Sequence, residues 1–230
     1  MGWIPSKSKT ILDTQHPYWY VKKQATLEQR NKPRLKVLVA CEFSGTIRDA
    51  FLARGHDAWS CDLLPTEKLG PHIKDDVLKH LDEGWDLMIA HPPCTYLANS
   101  GVWVLHRDPG RWTKMEEGAH FFKKFLDADI PSIAVENPIM HKYAVAIIGR
   151  RQDQIIQPYE FGHSESKATG LWLKDLPPLI PTKILPLPAK GHWDNQTPSG
   201  RNKIGPSPDR GKIRSLTYQG IADAMATQWG

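Results

Sequence analysis

Three side chains lie at the ends of apolar runs with the right types for chemistry: Cys94 in His91-Pro92-Pro93-Cys94-Thr95, Glu136 in Glu136-Asn137-Pro138, and Asp62. A cysteine on a rigid double-proline turn beyond a buried strand is held at the rim of a sheet, where it is partly exposed and its thiolate can act as a nucleophile. A free cysteine has a pKa of about 8.5, so a nearby dipole or cation has to favour the anion. Glu136 offers a carboxyl at the neighbouring strand end, and a partly desolvated glutamic acid is suited to holding a proton against a substrate atom. A nucleophile beside an acid fits covalent addition to a ring that must be protonated before it can be attacked. Singly, each residue has a plainer reading: a small packing residue for Cys94, a surface acid for Glu136. Cys41 and Cys61 fall inside predicted strands and take the packing reading.

A second group resembles a cofactor-binding turn. Leu35 to Gly45 has the form of a strand running into a turn, with a single glycine in that turn, and Asp62 follows about twenty residues on, at the end of the next strand. A carboxylate there commonly accepts hydrogen bonds from ribose hydroxyls. The alternative for Asp62 is an ordinary strand-end or helix-capping aspartate.

These residues need elements to position them. Leu35 to Ala40 is a short apolar run followed by Ser44-Gly45 and a helical stretch to about Arg54; further strands are predicted at 58–61, in the approach to Asp75-Asp76, and at 85–90, where Pro92-Pro93 forbids continuation. Residues 113–128 have helical spacing, with Phe121, Phe122, Phe125 and Leu126 on one side; 130–135 reads as a strand, and 155–156 and 171–173 could complete a sheet. Strands alternating with helices predict a mostly parallel α/β sheet with sites at the carboxyl ends of its strands, so Asp62, Cys94 and Glu136 should converge on one rim. Beyond Leu173 the chain turns proline-rich, with a last amphipathic helix expected over 218–229. The organisation expected is a basic arm over 1–34, a catalytic core over 35–175, and over 176–230 a basic Pro-rich segment whose terminal helix packs back on the core.

With 230 residues, 40% hydrophobic and 24% charged, the chain has enough material for one sizeable core. Its longest apolar stretch, 144–148, is far short of the roughly 20 residues of a membrane span, and there is no signal-peptide core, so a cytoplasmic protein without membrane association is expected. Three scattered cysteines and ten histidines in no His-x-His or His-x-x-x-His arrangement predict neither disulfides nor a metal site. The net charge of +5 is unevenly placed: residues 1–36 hold eight Lys/Arg against two acids, residues 181–214 seven against two, while residues 37–180 are mildly acidic. Cationic flanks of this kind suit a polyanion, although solvated basic tails that bind nothing are also common. No feature points to a particular oligomeric state.

In order over roughly residues 35–173 the chain resembles the DNA cytosine C5-methyltransferases, particularly short phage-type members. Phe43-Ser44-Gly45 resembles the family's cofactor loop, Asp62 its ribose-binding acid, and Asp76 the aspartate that reads the adenine amino group. Pro92-Pro93-Cys94 resembles the nucleophile motif, with Ser100-Gly101 matching the loop after it, and Glu136-Asn137 the N3-protonating glutamate with its asparagine. The resemblance implies a Rossmann-type methyltransferase fold, S-adenosylmethionine as cofactor, DNA as partner, and phage-type or restriction-modification biology. It also implies that Cys94 adds to carbon 6 of a flipped-out cytosine while Glu136 serves N3.

The chain departs from the family in several places. Lys167 and Thr169 stand where the family has two arginines, Thr46 stands where a glycine is usual in the cofactor turn, and Gly220-Ile221-Ala222-Asp223 is no match to the terminal Gly-Asn motif. Only residues 174–214 separate the last sheet motif from the terminal helix, which is short for a target-recognition domain. Three other readings follow: an amino-methyltransferase acting on adenine N6 or cytosine N4, C5 chemistry on a free pyrimidine nucleotide, and a non-catalytic nucleic-acid-binding protein on a methyltransferase scaffold. The first expects Asp, Asn or Ser before Pro-Pro and an aromatic after it, whereas His91 and Cys94 stand there.

Overall fold

The structure, a computed structural model, describes residues 33–205 and 210–230. The predicted basic arm therefore lies almost wholly outside the described residues. Apolar runs with β-branched residues become the strands β1 Lys36–Ala40, β2 Asp57–Cys61, β3 His72–Ile73, β4 Leu87–Ala90, β5 Ser132–Pro138, β6 Gln154–Ile156 and β7 Thr169–Lys174. The helices are α1 Thr46–Leu52, α2 Val102–Leu105, α3 Gly110–Leu126, α4 Lys142–Ile148, α5 Arg210–Ser215 and α6 Gln219–Gln228.

The seven strands form one sheet in the order β3-β2-β1-β4-β5-β7-β6. β4 is central, β1 pairs in parallel with both β2 and β4, β4 pairs in parallel with β5, and β7 runs antiparallel to both of its neighbours. This is the Rossmann-type α/β fold, a mostly parallel sheet flanked by helices, expected from the sequence. β5 is longer than the apolar run that predicted it. Its polar tripeptide stays in the sheet because β7 pairs along it, Glu136 opposite Leu171 and Asn137 opposite Gly170, and Pro138 is tolerated as the last residue of the strand.

Side chains alternate across the sheet and meet a different helical layer on each side. Leu38, Met88, Ile133 and Val135 pack with Met115, Ala119, Phe122 and Phe125 of α3 and with Ala144 and Ile148 of α4. Val37, Val39, Leu87 and Ile89 pack with Ile47 and Phe51 of α1 and with Ile221, Ala222 and Met225 of α6. Burying each large apolar side chain contributes about 1.5–3 kcal/mol, and these two layers fix the carboxyl ends of β1, β4 and β5 against one another. Arg48, fully buried on α1, is saturated by Asp49, Ser60, Thr66 and the carbonyls of Lys68 and Leu69, so it ties down the loop that follows β2. Among the described residues no helix is long and apolar enough to cross a membrane, and no three His, Cys, Asp or Glu side chains are grouped to hold a metal ion.

Candidate active site

The register of β4 and β5 sets the site. Ala90 pairs with Val135, so the next residues, His91 and Glu136, stand side by side at the strand tips. The His91 amide donates to the Ala40 carbonyl at 2.9 Å, which carries the ladder one residue past β4 and anchors His91 to β1 as well. His91 Nδ1 lies 2.8 Å from Glu136 Oε2, and both side chains are largely enclosed, 9% and 17% exposed. Asn137, buried, donates from Nδ2 to the Pro92 carbonyl at 2.8 Å and so clamps the double-proline turn onto β5. Beyond the clamp the Cys94 carbonyl accepts from the amides of Leu97 and Ala98, each at 3.0 Å, so Cys94 opens a closed turn and stands half-buried at its start.

Cys94 and Glu136 sense each other. Burial pushes the Cys94 thiol above its ordinary value and the Glu136 carboxylate pushes it further, while the charges of Lys167 and Arg214 pull it down. For Glu136, burial works toward a higher value but is outweighed by the His91 hydrogen bond, the Lys167 charge, the charge of His91 and a hydrogen bond from Thr169; its carboxyl is held below the usual range. The sequence suggested a desolvated acid ready to protonate a substrate, whereas these neighbours favour the carboxylate in the free protein. Lys167 lies in the segment that leads into β7 and Thr169 is the first residue of that strand, and both line, with Glu136, a small, partly open cavity that is also lined by His91, Ile156, Thr217 and Tyr218. Lys167 Nζ donates to the Arg214 carbonyl at 2.8 Å, and Thr169 Oγ1 to the Lys167 carbonyl at 3.1 Å. Cys94 is not part of that lining; it sits beside the cavity, within electrostatic reach of Glu136.

The turn after β1 lines a second small, partly open cavity, with Cys41, Glu42, Phe43 and Ser44 on one side, Ser215, Leu216 and Thr217 on another, and His91 between. Two residues of this turn have left-handed backbone, Gly45 at φ 71° and Cys41 at φ 57°. At Gly45 a Cβ would lie 2.4 Å from the buried Arg48 guanidinium, so the one glycine in the turn has both a conformational and a steric reason. Cys41, assigned to a strand from the sequence, lies just past β1, half-buried, in a conformation that ordinarily favours glycine. Glu42, which sequence reasoning passed over, is buried and accepts from Ser44 Oγ at 3.0 Å and from the Ile47 amide at 2.8 Å, capping α1. Its signal in retrospect is an acid four residues ahead of the first residue of a helix, where a carboxylate can meet unpaired amides.

Asp62 and Asp76 follow β2 and β3, outside the lining of either cavity. Asp62 Oδ1 accepts from the Leu64 amide at 2.8 Å, and Asp76 Oδ1 from the Leu78 amide at 3.0 Å, where it caps a single 3-10 turn. Asp62 is thus a strand-end aspartate that closes a local turn and caps no helix, whereas Asp76 is a cap. Both carboxylates are close enough to Cys41 to raise its thiol, after the larger effect of burial. Pro92 is buried and meets neither cavity; its carbonyl serves the Asn137 clamp. Of the expected residues, Phe43 and Ser44 line one cavity and Glu136, Lys167 and Thr169 the other, with His91 bordering both, while Asp62, Asp76, Pro92 and Cys94 are in neither lining.

No family model matches the chain, and no curated protein matches it. Among solved structures it is similar to a candidate DNA modification methyltransferase encoded within an E. coli prophage, with 15% identity, a TM-score of 0.43, and coverage of 68% of this chain and 53% of that one. It is also similar to the Entamoeba histolytica methyltransferase EhMeth, with 17% identity, a TM-score of 0.44, and coverage of 67% and 58%. The chain spans a little over half the length of either structure.

Proposed function

We propose that this chain transfers a methyl group from S-adenosylmethionine to carbon 5 of cytosine in DNA, with Cys94 as covalent nucleophile and Glu136 at the ring N3. The observation that carries the reading is the coupling of those two side chains at adjacent strand tips, beside a cavity and one strand away from a cofactor-type turn. The cofactor fits the residues present. The left-handed turn at Cys41 and Gly45 opens onto a cavity, and Asp62 and Asp76 each accept a backbone amide through Oδ1. Phe43, Ser44, Gly45, Asp62 and Asp76 would hold it. When bound, it supplies an electrophilic methyl group on a sulfonium.

The chain's own residues do the rest. Asn137 fixes the Pro92-Pro93 turn and with it the height of the Cys94 sulfur. The thiol is raised by burial, so Lys167 and Arg214 have to offset part of that effect for the thiolate to form and add to carbon 6. Glu136 hydrogen-bonds N3, carbon 5 gains nucleophilic character, and loss of the carbon 5 proton is followed by departure of Cys94. In duplex DNA the cytosine must first leave the stack. Lys167 stands where it could meet the base oxygen, its ammonium being held by the Arg214 carbonyl.

The test is transfer of labelled methyl from S-adenosylmethionine to cytosine-containing DNA, with dCMP as comparison and Cys94→Ala as control. Incorporation into DNA that disappears in the variant is expected. Active wild-type protein that forms no covalent adduct with 5-fluorocytosine DNA would rule out the C5 route, and incorporation into dCMP alone would move the substrate to the free nucleotide.

A further inference from the structure

His91 borders both cavities, the one beside Glu136 and the one beside the turn 41–44, and is the only titratable side chain shared by the two linings. Its ring is nine-tenths buried, with Nδ1 against Glu136 Oε2 at 2.8 Å, and its Nε2 is a buried nitrogen without a hydrogen-bond partner. An ionised carboxylate only accepts, so Nδ1 carries the proton in this contact and Nε2 of the neutral ring keeps a lone pair. A buried polar atom left unpaired costs about 1–3 kcal/mol; at the wall between two cavities, such an atom marks a place for something other than packing.

Glu136 cannot do alone what the proposed chemistry asks. Its neighbours keep it ionised, and a carboxylate brings no proton to N3. The titratable group hydrogen-bonded to it is His91.

We propose that His91 is the proton carrier of this site, delivering a proton to the pyrimidine N3 through Glu136 and recovering it when Cys94 leaves. The inference rests on the C5 reading above. In the loading step the Nδ1–H bond breaks and an O–H bond forms on Glu136, turning imidazolium and carboxylate into neutral imidazole and carboxylic acid. The O–H bond then breaks as N3–H forms, while the Cys94 sulfur bonds carbon 6 and the carbon 5–carbon 6 π pair shifts to carbon 5. When the sulfur–carbon 6 bond breaks, the N3 proton returns by the same two transfers, so the dyad ends as it began. His91 acts through Glu136 and is a positioning and relay residue; its free Nε2 exchanges protons with the cavity contents. The charged and titratable groups that share its two cavities are Glu136 from β5, Lys167 from ahead of β7, Tyr218 from ahead of α6, and Cys41 and Glu42 from the turn after β1.

The experiment follows adduct formation with 5-fluorocytosine DNA and S-adenosylmethionine from pH 5.5 to 9 in wild type, His91→Asn and His91→Ala. Asparagine keeps an N–H donor for Glu136 but cannot titrate, and thermal melts establish that both variants fold. His91→Asn should lose at least about tenfold in rate, at or below the lower end of the range for general acid–base groups, together with the decline of the wild-type rate on the alkaline side. Added imidazole should restore part of the rate to His91→Ala and none to His91→Asn. Nitrogen-15 spectra of the free protein provide a readout that needs no methyl transfer: the neutral His91 ring should carry its proton on Nδ1. A wild-type rate and pH profile in His91→Asn, or a proton on Nε2 in the neutral ring, would overturn the relay and leave the C5 reading standing. A wild type that forms no adduct would remove that reading and the relay with it.

Discussion

Cys94 is not a nucleophile by default. Burial and the Glu136 carboxylate both disfavour its anion, and only Lys167 and Arg214 work the other way. In the free protein the thiol should therefore be sluggish: alkylation of Cys94 by iodoacetamide, followed by peptide mass mapping, is expected to be slow at pH 7 and to rise close to tenfold per pH unit until the thiol titrates above its ordinary value. Glu136→Gln removes a raising influence and should speed alkylation several-fold at neutral pH, whereas Lys167→Gln removes a lowering one and should slow it. A fast, pH-independent reaction at neutral pH would contradict the placement of Cys94 beside Glu136. The same scale explains which site residues could be read from the sequence. Cys94, Glu136 and Asn137 announce themselves because prolines and polar residues interrupt apolar runs at their positions. Cys41 did not, because a left-handed residue that is not glycine leaves no trace in composition. His91 was legible only as a neighbour of Pro-Pro, since its role depends on a strand pairing 45 residues away in sequence.

At the scale of elements, the strands and main helices followed from apolar runs and helical spacing because those patterns are local. The end of β5 did not, because only the antiparallel pairing of β7 keeps Glu136-Asn137-Pro138 in the sheet. Equally illegible was the segment 214–218, the end of α5 and its link to α6. Its residues line both cavities, and it is held by Lys167 donating to the Arg214 carbonyl and by the Tyr218 hydroxyl donating to Glu165 at 2.6 Å. Gly220, in a stretch that resembles no family motif, fixes the far end of this segment. Its amide donates to His163 Nε2 at 2.9 Å, and a Cβ there would lie 2.0 Å from the Phe161 carbonyl oxygen. Neither partner is the tip of a flexible chain, so α6 would have to shift. Gly220→Ala is expected to lower stability by about 1–3 kcal/mol, the usual range for overpacking, read as a reduced midpoint in urea. It should also weaken binding of S-adenosylmethionine, because Ser215, Leu216 and Thr217 wall the cofactor-side cavity. An unchanged midpoint would mean that the approach of α6 to the loop at Phe161 is looser than described.

For the molecule as a whole, the uneven charge gains meaning from where the basic segment sits. Residues 190–203 dock on the loop that carries Lys167: the Asp194 amide donates to the Ser164 carbonyl at 2.8 Å, Asn195 Nδ2 donates to the Ser166 carbonyl at 2.8 Å while its Oδ1 accepts from the Ser166 amide, and Trp193 stacks on Tyr159 at 4.5 Å. Arg201 is exposed on this segment, and Lys183 is exposed ahead of it, with its amide donating to the Glu160 carbonyl at 3.0 Å. On the proposed reading these cations serve a phosphate backbone, which a free nucleotide would not need. Counterion release makes the idea quantitative: each phosphate contact contributes about −0.9 to the slope of log K against log salt on duplex DNA. Wild-type binding to duplex DNA should weaken steeply with salt, and Lys183→Gln with Arg201→Gln should flatten the slope by about 1–2 without preventing adduct formation at low salt, since neither residue lines the cavity. If the double variant kept the wild-type slope, phosphate contacts would have to come from other cations. If wild-type binding showed no salt dependence while dCMP were methylated, the basic segment would be serving solubility, and the substrate would be a free pyrimidine nucleotide.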